Sequence, residues 1–493
     1  MVELREAAAI DPGDATIPDA IGVALGELGD LDQAFAAFRQ AIALAPEFAA
    51  PRFHLGLALE RSGRPPDALV SYQQAIRLQP GLIEARHGMG SVLEQLGDFD
   101  GAIEQFDAVT RVAPAIAEAH YNLGLSFWSR YKAATGPRQS SDIQAAAAEL
   151  RTAARLAPAD TKVHAALGQL LADTDDLDGA VASLQKAQAL APDSGAIAYD
   201  LGLALRKSGD LEGAEAQLRR SLAGANTPPG ATRALGLVLR QRNDLAGAAA
   251  AFASAIEATP DDAQAHQLLG ATLIKLSRME EGLRALDRAI ELDPLMAEAR
   301  VARAQALARQ GRTEEARRDQ AEAQRIKAAE AAVGRAMILI ETGQAHARDG
   351  QRAEALASFR QATITCPELS EAHYQLGLAL VESRGDAAAA EAAFDRAIDL
   401  HPARADGFYH KGQLRATHGD RRGAVDAFAR AAMLKPSLID AHRALAEIAL
   451  QQHDWATALA ELDTVLAWEP DNIRARDQRA MAIDAQAREA ARR

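Results

Sequence analysis

Prolines in this chain recur on a fixed step. Pro12, Pro46, Pro80 and Pro114 stand 34 residues apart, and the same step separates Pro158 from Pro192, Pro260 from Pro294, and Pro402, Pro436 and Pro470. A period of this length marks a stack of small supersecondary units, each too small to bury its own apolar face and each covering its neighbour's. Two interruptions shift the count without breaking the register: 44 residues lie between Pro114 and Pro158, and 73 between Pro294 and Pro367. The phrases AHYNLGLSFW from Ala119 and AHYQLGLAL from Ala372, 253 residues apart, are therefore one structural position written twice.

Each period can be read as chemistry. With proline at position 32, position 8 is usually glycine (Gly22, Gly56, Gly90, Gly124, Gly168, Gly202, Gly236, Gly270, Gly343, Gly377, Gly412) and position 20 is almost always alanine. Glycine inside a helix costs about 1 kcal/mol relative to alanine, so its recurrence predicts a close approach of two helices. A bulky residue at position 24 (Phe38, Tyr72, Phe106, Phe252, Phe359, Phe394, Phe428) fills the gap that remains. At position 15, Gly29, Gly63, Gly97, Gly209, Gly311, Gly350 and Gly419, with Asn243 as a substitute, predict a left-handed residue closing the first helix. Asp30, Asp98, Asp210 and Asp420 follow directly and suit the N-cap of the second helix. Proline then stops that helix. Aromatic residues make up only 4% of the 493, and no stretch alternates as a half-buried strand does, so the expected fold is all-α.

These residues resemble the tetratricopeptide repeat, with small residues at positions 8 and 20, bulk at 7 and 24, and proline at 32. The match holds in thirteen units, beginning at 15, 49, 83, 117, 161, 195, 229, 263, 297, 336, 370, 405 and 439. The resemblance implies a right-handed superhelical solenoid of helix-turn-helix units. The expected organisation is a half-repeat cap over 1–14, an N-terminal array over 15–328, a seam at 329–335, a C-terminal array over 336–470 and a capping helix over 471–493. Ten extra residues enter near 130–142, around Gly136 and Pro137, as a loop or a contact element. The unit at 297 departs from the pattern, with Arg303 at position 7, Ala304 at 8 and Gln320 at 24; its second helix has no proline to stop it and is expected to run on.

Composition removes several function classes. A formal net charge of −14 opposes a general role in binding nucleic acid or an anionic membrane surface, both of which need a concentrated Lys/Arg field. No apolar run reaches the length of a membrane span, and the first residues lack the regions of a signal peptide, so a cytoplasmic location is expected, or an envelope one should a further segment precede Met1. The lone Cys366 excludes a disulfide framework and a cysteine zinc cluster. Histidines His120, His164, His266, His373 and His442 all occupy position 4, a periodic placement that suits helix packing rather than convergence on a metal. No serine sits on a strand-to-helix elbow, no glycine cluster follows a strand, and no leftover segment is long enough for a catalytic domain. Neither catalytic residues nor a cofactor or metal site is expected.

In the family that the repeats resemble, the first helix of each unit lines an inner groove through positions 2, 5, 6, 9, 12 and 13. Read onto this chain, positions 5 and 6 carry aromatic–polar pairs: Phe53 with His54, Tyr121 with Asn122, Tyr199 with Asp200, Tyr374 with Gln375, and Tyr409 with His410. They suit contact with a peptide backbone, or packing on the next repeat. Arg206, Lys207, Arg233, Arg240 and Lys275 fall at positions 5, 12 or 13 of the units at 195, 229 and 263, a basic patch suited to an acidic segment unless neighbouring carboxylates neutralise it. The Lys–Asn pair with which relatives grip a chaperone's C-terminal carboxylate is missing. The repeat style is similar to that of O-linked N-acetylglucosamine transferases, bacterial in flavour, but only Asn122 matches their asparagine ladder and the transferase domain is absent. The expected function is a non-catalytic scaffold binding proteins or extended peptides in its groove; an accessory subunit of an enzyme complex, or a structural subunit of an envelope assembly, stands as the alternative.

Overall fold

The computed structural model describes residues 2–133, 140–383, 386–469 and 472–490; Gly136, Pro137 and Pro470 lie outside them. Among the described residues the chain is all helix apart from one isolated bridge, between Ser194 and Ala225. The helices run in antiparallel pairs joined by short turns, an all-α superhelical solenoid. Ala50–Arg61 with Pro65–Leu78 is representative.

The glycine–aromatic rule has a direct physical basis at Gly56. A Cβ there would lie 2.6 Å from the Tyr72 ring, and a Cβ at Gly88 of the following repeat would also come within 2.6 Å of it. Tyr72 is thus clamped between two glycine-bearing helices, fully buried, with its hydroxyl donating to Glu60 at 2.9 Å. One aromatic side chain seals two repeats.

Turns follow the expected chemistry and extend it. All seven position-15 glycines have positive φ, and so do Asp175, Asn243, Ser277 and His453 at the same position of other units. A non-glycine residue there carries a strain of about 1 kcal/mol. The aspartates that follow cap the second helices as anticipated: Asp30 accepts from Gln33 N at 3.3 Å, Asp98 from Gly101 N at 3.1 Å, and Asp210 and Asp420 from the Gly213 and Gly423 amides at 2.9 Å. Second helices end just before the proline, as Leu44 does before Pro46 and Leu78 before Pro80.

Position 4 acquires a role that spacing alone did not specify. His120, His164, His266 and His373 each donate Nε2–H to the carbonyl of the proline six residues earlier, at 3.1, 3.1, 3.0 and 2.9 Å. Arg86 and Arg300 do the same to Pro80 and Pro294. A carbonyl left without a helical partner at the end of one repeat is satisfied from the next. His442 differs, pairing with Glu461 at 2.6 Å.

In the degenerate unit, Arg303 replaces core bulk with charge. Its Nε and Nη2 donate to the two oxygens of buried Asp319 at 2.7 Å each, and Nη1 to Asp287 at 2.7 Å. These bonds hold the guanidinium above its ordinary value. The second helix of this unit, Thr313–Arg348, does continue unbroken for 36 residues.

The chain gathers into two compact units. One is Ala147–Ile338; the other joins Met1–Ala146 with Leu339–Arg493. Inside the latter, Trp455–Trp468 packs on Pro65–Leu78, far earlier in sequence.

Candidate functional site

In Ala147–Ile338, the five basic residues do not act alike. Arg233 is neutralised, its Nη1 donating to both oxygens of Asp262 at 2.8 and 2.7 Å. Asp262 in turn caps its helix through Ala265 N at 2.9 Å. Lys207 is spent on the Ala172 carbonyl at 2.8 Å, with Asp175 at 3.7 Å. Lys275 is exposed in the last turn of its helix.

Arg206 and Arg240 stand apart from these three. They occupy position 12 of adjacent repeats, and among the described residues neither has a carboxylate partner. Burial holds the Arg240 guanidinium below its ordinary value, and the charge of Arg206 pushes it the same way. Arg206 Nε is buried without a hydrogen-bond partner among the described residues. Two mutually repelling cations, half-buried and without a carboxylate partner among the described residues, make the strongest anion-attracting feature of the patch. Nearby, Tyr199 lies with its hydroxyl 3.0 Å from where a Cβ on Gly230 would stand, so it packs on the next repeat's approach loop. Burial pushes the Asp200 carboxyl up, and Gln169 Nε2 donates to it at 2.7 Å.

In the other compact unit, two polar groups at position 6 bond to the preceding repeat. His54 Nδ1 sits 2.8 Å from Asp19, and Asn122 Nδ2 is 2.9 Å from His87 Nε2, in both cases a position-5 partner. Phe53 packs on His54 and Tyr72, with ring centroids 5.3 and 6.1 Å away, and Tyr121 is half-buried. Gln375 donates to Glu371 of its own helix at 2.8 Å. Tyr374 lies against Phe394 and His410 with the Arg404 guanidinium 4.5 Å over its ring; its hydroxyl is pushed up by burial. Tyr409 accepts from Gln413 Nε2 at 2.7 Å. His410 stacks on Phe394, and burial holds its imidazole down.

A recess of about 680 Å³ opens beside this aromatic group, across the first helices Ser370–Glu382, Ala405–Thr417 and Ile439–Gln452. Phe394, His410, Leu414 and Phe428 line it, together with Val381 and Glu447 among others. The aromatic pairs did not point to Val381, Leu414 or Glu447. Reading positions 10 and 12 of the first helices for apolar character would have found Leu414 and Val381; Glu447, at position 9, carries no apolar signal.

Among the described residues, no group of three or more His, Cys, Asp or Glu side chains is arranged to hold a metal ion, and no helix is long and apolar enough to cross a membrane. The geometry is that of a repeat solenoid whose first helices present side chains on a shared face. The chain belongs to the tetratricopeptide repeat family, whose model matches residues 20–83, 87–136, 131–195, 199–263, 268–337 and 340–405. Proteins of this family generally mediate protein–protein interaction as non-catalytic scaffolds. No curated protein matches the chain. Among solved structures it is similar to YrrB, described as a TPR protein with an unusual peptide-binding site, at 22% identity over 38% of this chain and 91% of that one, TM-score 0.33. It is similar also to a thermophilic TPR protein from Thermus thermophilus, at 24% identity over 39% and 100%, TM-score 0.32. A third is a tetratricopeptide repeat protein from Parabacteroides merdae, at 16% identity over 53% and 99%, TM-score 0.40.

Proposed function

We propose that this protein is a non-catalytic interaction scaffold whose Ala147–Ile338 unit takes an acidic segment of a partner protein. The observation that carries the reading is the Arg206–Arg240 pair. Its neighbours Arg233 and Lys207 are compensated within the fold, while the charges of these two guanidiniums repel each other and, among the described residues, neither has a carboxylate partner. A partner Asp or Glu side chain placed there would relieve the mutual repulsion, a gain obtained only on binding. The preformed helices lose little freedom when a partner docks.

Fluorescently labelled twelve-residue peptides rich in Glu, and matched peptides with Gln in place of Glu, test this by anisotropy titration. The acidic peptides should bind the full chain, and Arg206→Glu with Arg240→Glu should weaken them at least about tenfold, the effect of losing one or two charge-assisted bonds. Equal affinity for acidic and amide peptides, or no change on charge reversal, would sink the proposal.

A further inference from the structure

A solenoid held by contacts between successive repeats leaves the outer sides of its second helices in water. In the unit that joins Met1–Ala146 with Leu339–Arg493, two second helices, Pro65–Leu78 and Phe99–Val112, break that rule. Asp98 is 3% exposed, whereas the capping aspartates Asp176, Asp210, Asp244 and Asp420 are exposed. Besides capping its own helix, Asp98 accepts from Ser437 N and Ser437 Oγ, both at 2.7 Å. Asp100 pairs with Lys435 and with Arg130 at 2.7 Å. Arg77 pairs with Asp463, which also holds Arg479 at 2.5 Å. Trp468 is 6% exposed, in one apolar cluster with Tyr72 and Phe106, its ring 2.9 Å from where a Cβ on Gly101 would stand.

This contact differs in kind from the repeat-to-repeat seams. Those rest on periodic small-residue and aromatic packing; this one buries the Asp98 carboxylate under Ser437, carries the Arg77–Asp463 and Asp100–Lys435 ion pairs, and leaves Trp468 Nε1 without a hydrogen-bond partner among the described residues. Contacts between distant parts of one chain that join ion pairs to a small apolar patch resemble transient protein–protein interfaces, which open more readily than a repeat core. The repeats on either side do not need it, since each is covered by its sequence neighbours.

We propose that the outer sides of Pro65–Leu78 and Phe99–Val112 form an interaction surface whose occupant is the chain's own segment from Lys435 to Trp468, docked reversibly in cis as a latch. Lys435 and Asp463 supply the charges, Ser437 the hydrogen bonds to Asp98, and Trp468 with Ile439 the apolar contact. High salt weakens the charge pairs and so favours the open form.

Zero-length carbodiimide coupling of the full chain reads the latch directly. Lys435 and Asp100 should join in good yield at about 50 mM salt, and the yield should fall at least about threefold at about 500 mM, where screening is much stronger. Lys411 and Asp395, paired between the sequence-adjacent repeats at 370 and 405, serve as the internal reference and should change little. In an equal mixture of nitrogen-15-labelled and unlabelled chains the product should carry one isotope only. Trp468→Ala should lower the Lys435–Asp100 yield at least fivefold, with the Lys411–Asp395 yield and helical content retained. Should that variant lose helix, Ser437→Ala, which removes only the hydroxyl bond, replaces it and should still lower the yield at least twofold. A yield indifferent to salt and to these substitutions would make the contact a permanent core and overturn the proposal. So would mixed-isotope product, which assigns the surface to a second copy, or no Lys435–Asp100 product where Lys411–Asp395 forms.

Discussion

The most informative single perturbation is Asp319→Ala. In the unit at 297 the positions that elsewhere hold Leu and Phe hold Arg303 and Gln320, and the core is closed by the Arg303–Asp319 fork at 2.7 Å. Removing one member of a fully buried pair costs about 3–5 kcal/mol, because the other is left charged and unpartnered. Here Asp319 is 7% exposed but Arg303 is 23% exposed and keeps Asp287, so about 2–3 kcal/mol is the reasoned figure. The converse perturbation replaces both residues with leucine, giving the unit the apolar fill of its neighbours; it should be neutral or stabilise by about 1 kcal/mol. Urea denaturation followed by circular dichroism measures the change. Hydrogen exchange on Thr313–Arg348 localises it, which matters because a long array need not unfold in one step. A cost below about 0.5 kcal/mol, or one that vanishes in high salt, would class the pair with solvated surface bridges and refute the argument.

Further outcomes are expected of the array. Ser277, at φ 63°, should accept Ser277→Gly with a gain of about 0.5–1 kcal/mol, read as a higher melting temperature, since glycine relieves the left-handed strain. His410 is held below its ordinary 6.5 by burial between Phe394 and Tyr374, with Gln413 and Asp406 opposing. The unfolded chain therefore takes its proton first as pH falls, and stability should drop as pH descends through about 6.5. His410→Gln should flatten that slope in melts between pH 7.5 and 5.5; an unchanged slope would place the titration elsewhere. The charge reversal at Arg206 and Arg240 and the salt-dependent coupling of Lys435 to Asp100 complete the set, one on partner affinity and one on intramolecular docking.

How far the candidate site was legible depends on the kind of interaction. Placing Arg206 and Arg240 on one face needed only the repeat register, because residues at position 12 of successive units are stacked by the period. Sorting them from Arg233 and Lys207 required partners from other helices: Asp262, 29 residues on, and the Ala172 carbonyl, 35 residues back. Tyr374 illustrates the same limit. Its position 5 is read directly from the period, but the covering guanidinium of Arg404 is not.

The sequence by itself determined the local and nearest-neighbour architecture. Helix ends follow from glycine, aspartate and proline acting on backbone geometry within a few residues, and repeat packing follows from a small residue meeting a large one at a constant offset, so both are periodic and visible. Tertiary structure alone decided two things. One is which charged side chains are compensated, since that depends on a few ångströms across helices. The other is the docking of Ser437 and Trp468 onto Asp98 and Gly101, more than 300 residues away, for which no period exists to read. Long-range contacts made by single polar groups leave no repeating pattern in a chain, and only the folded coordinates bring them together.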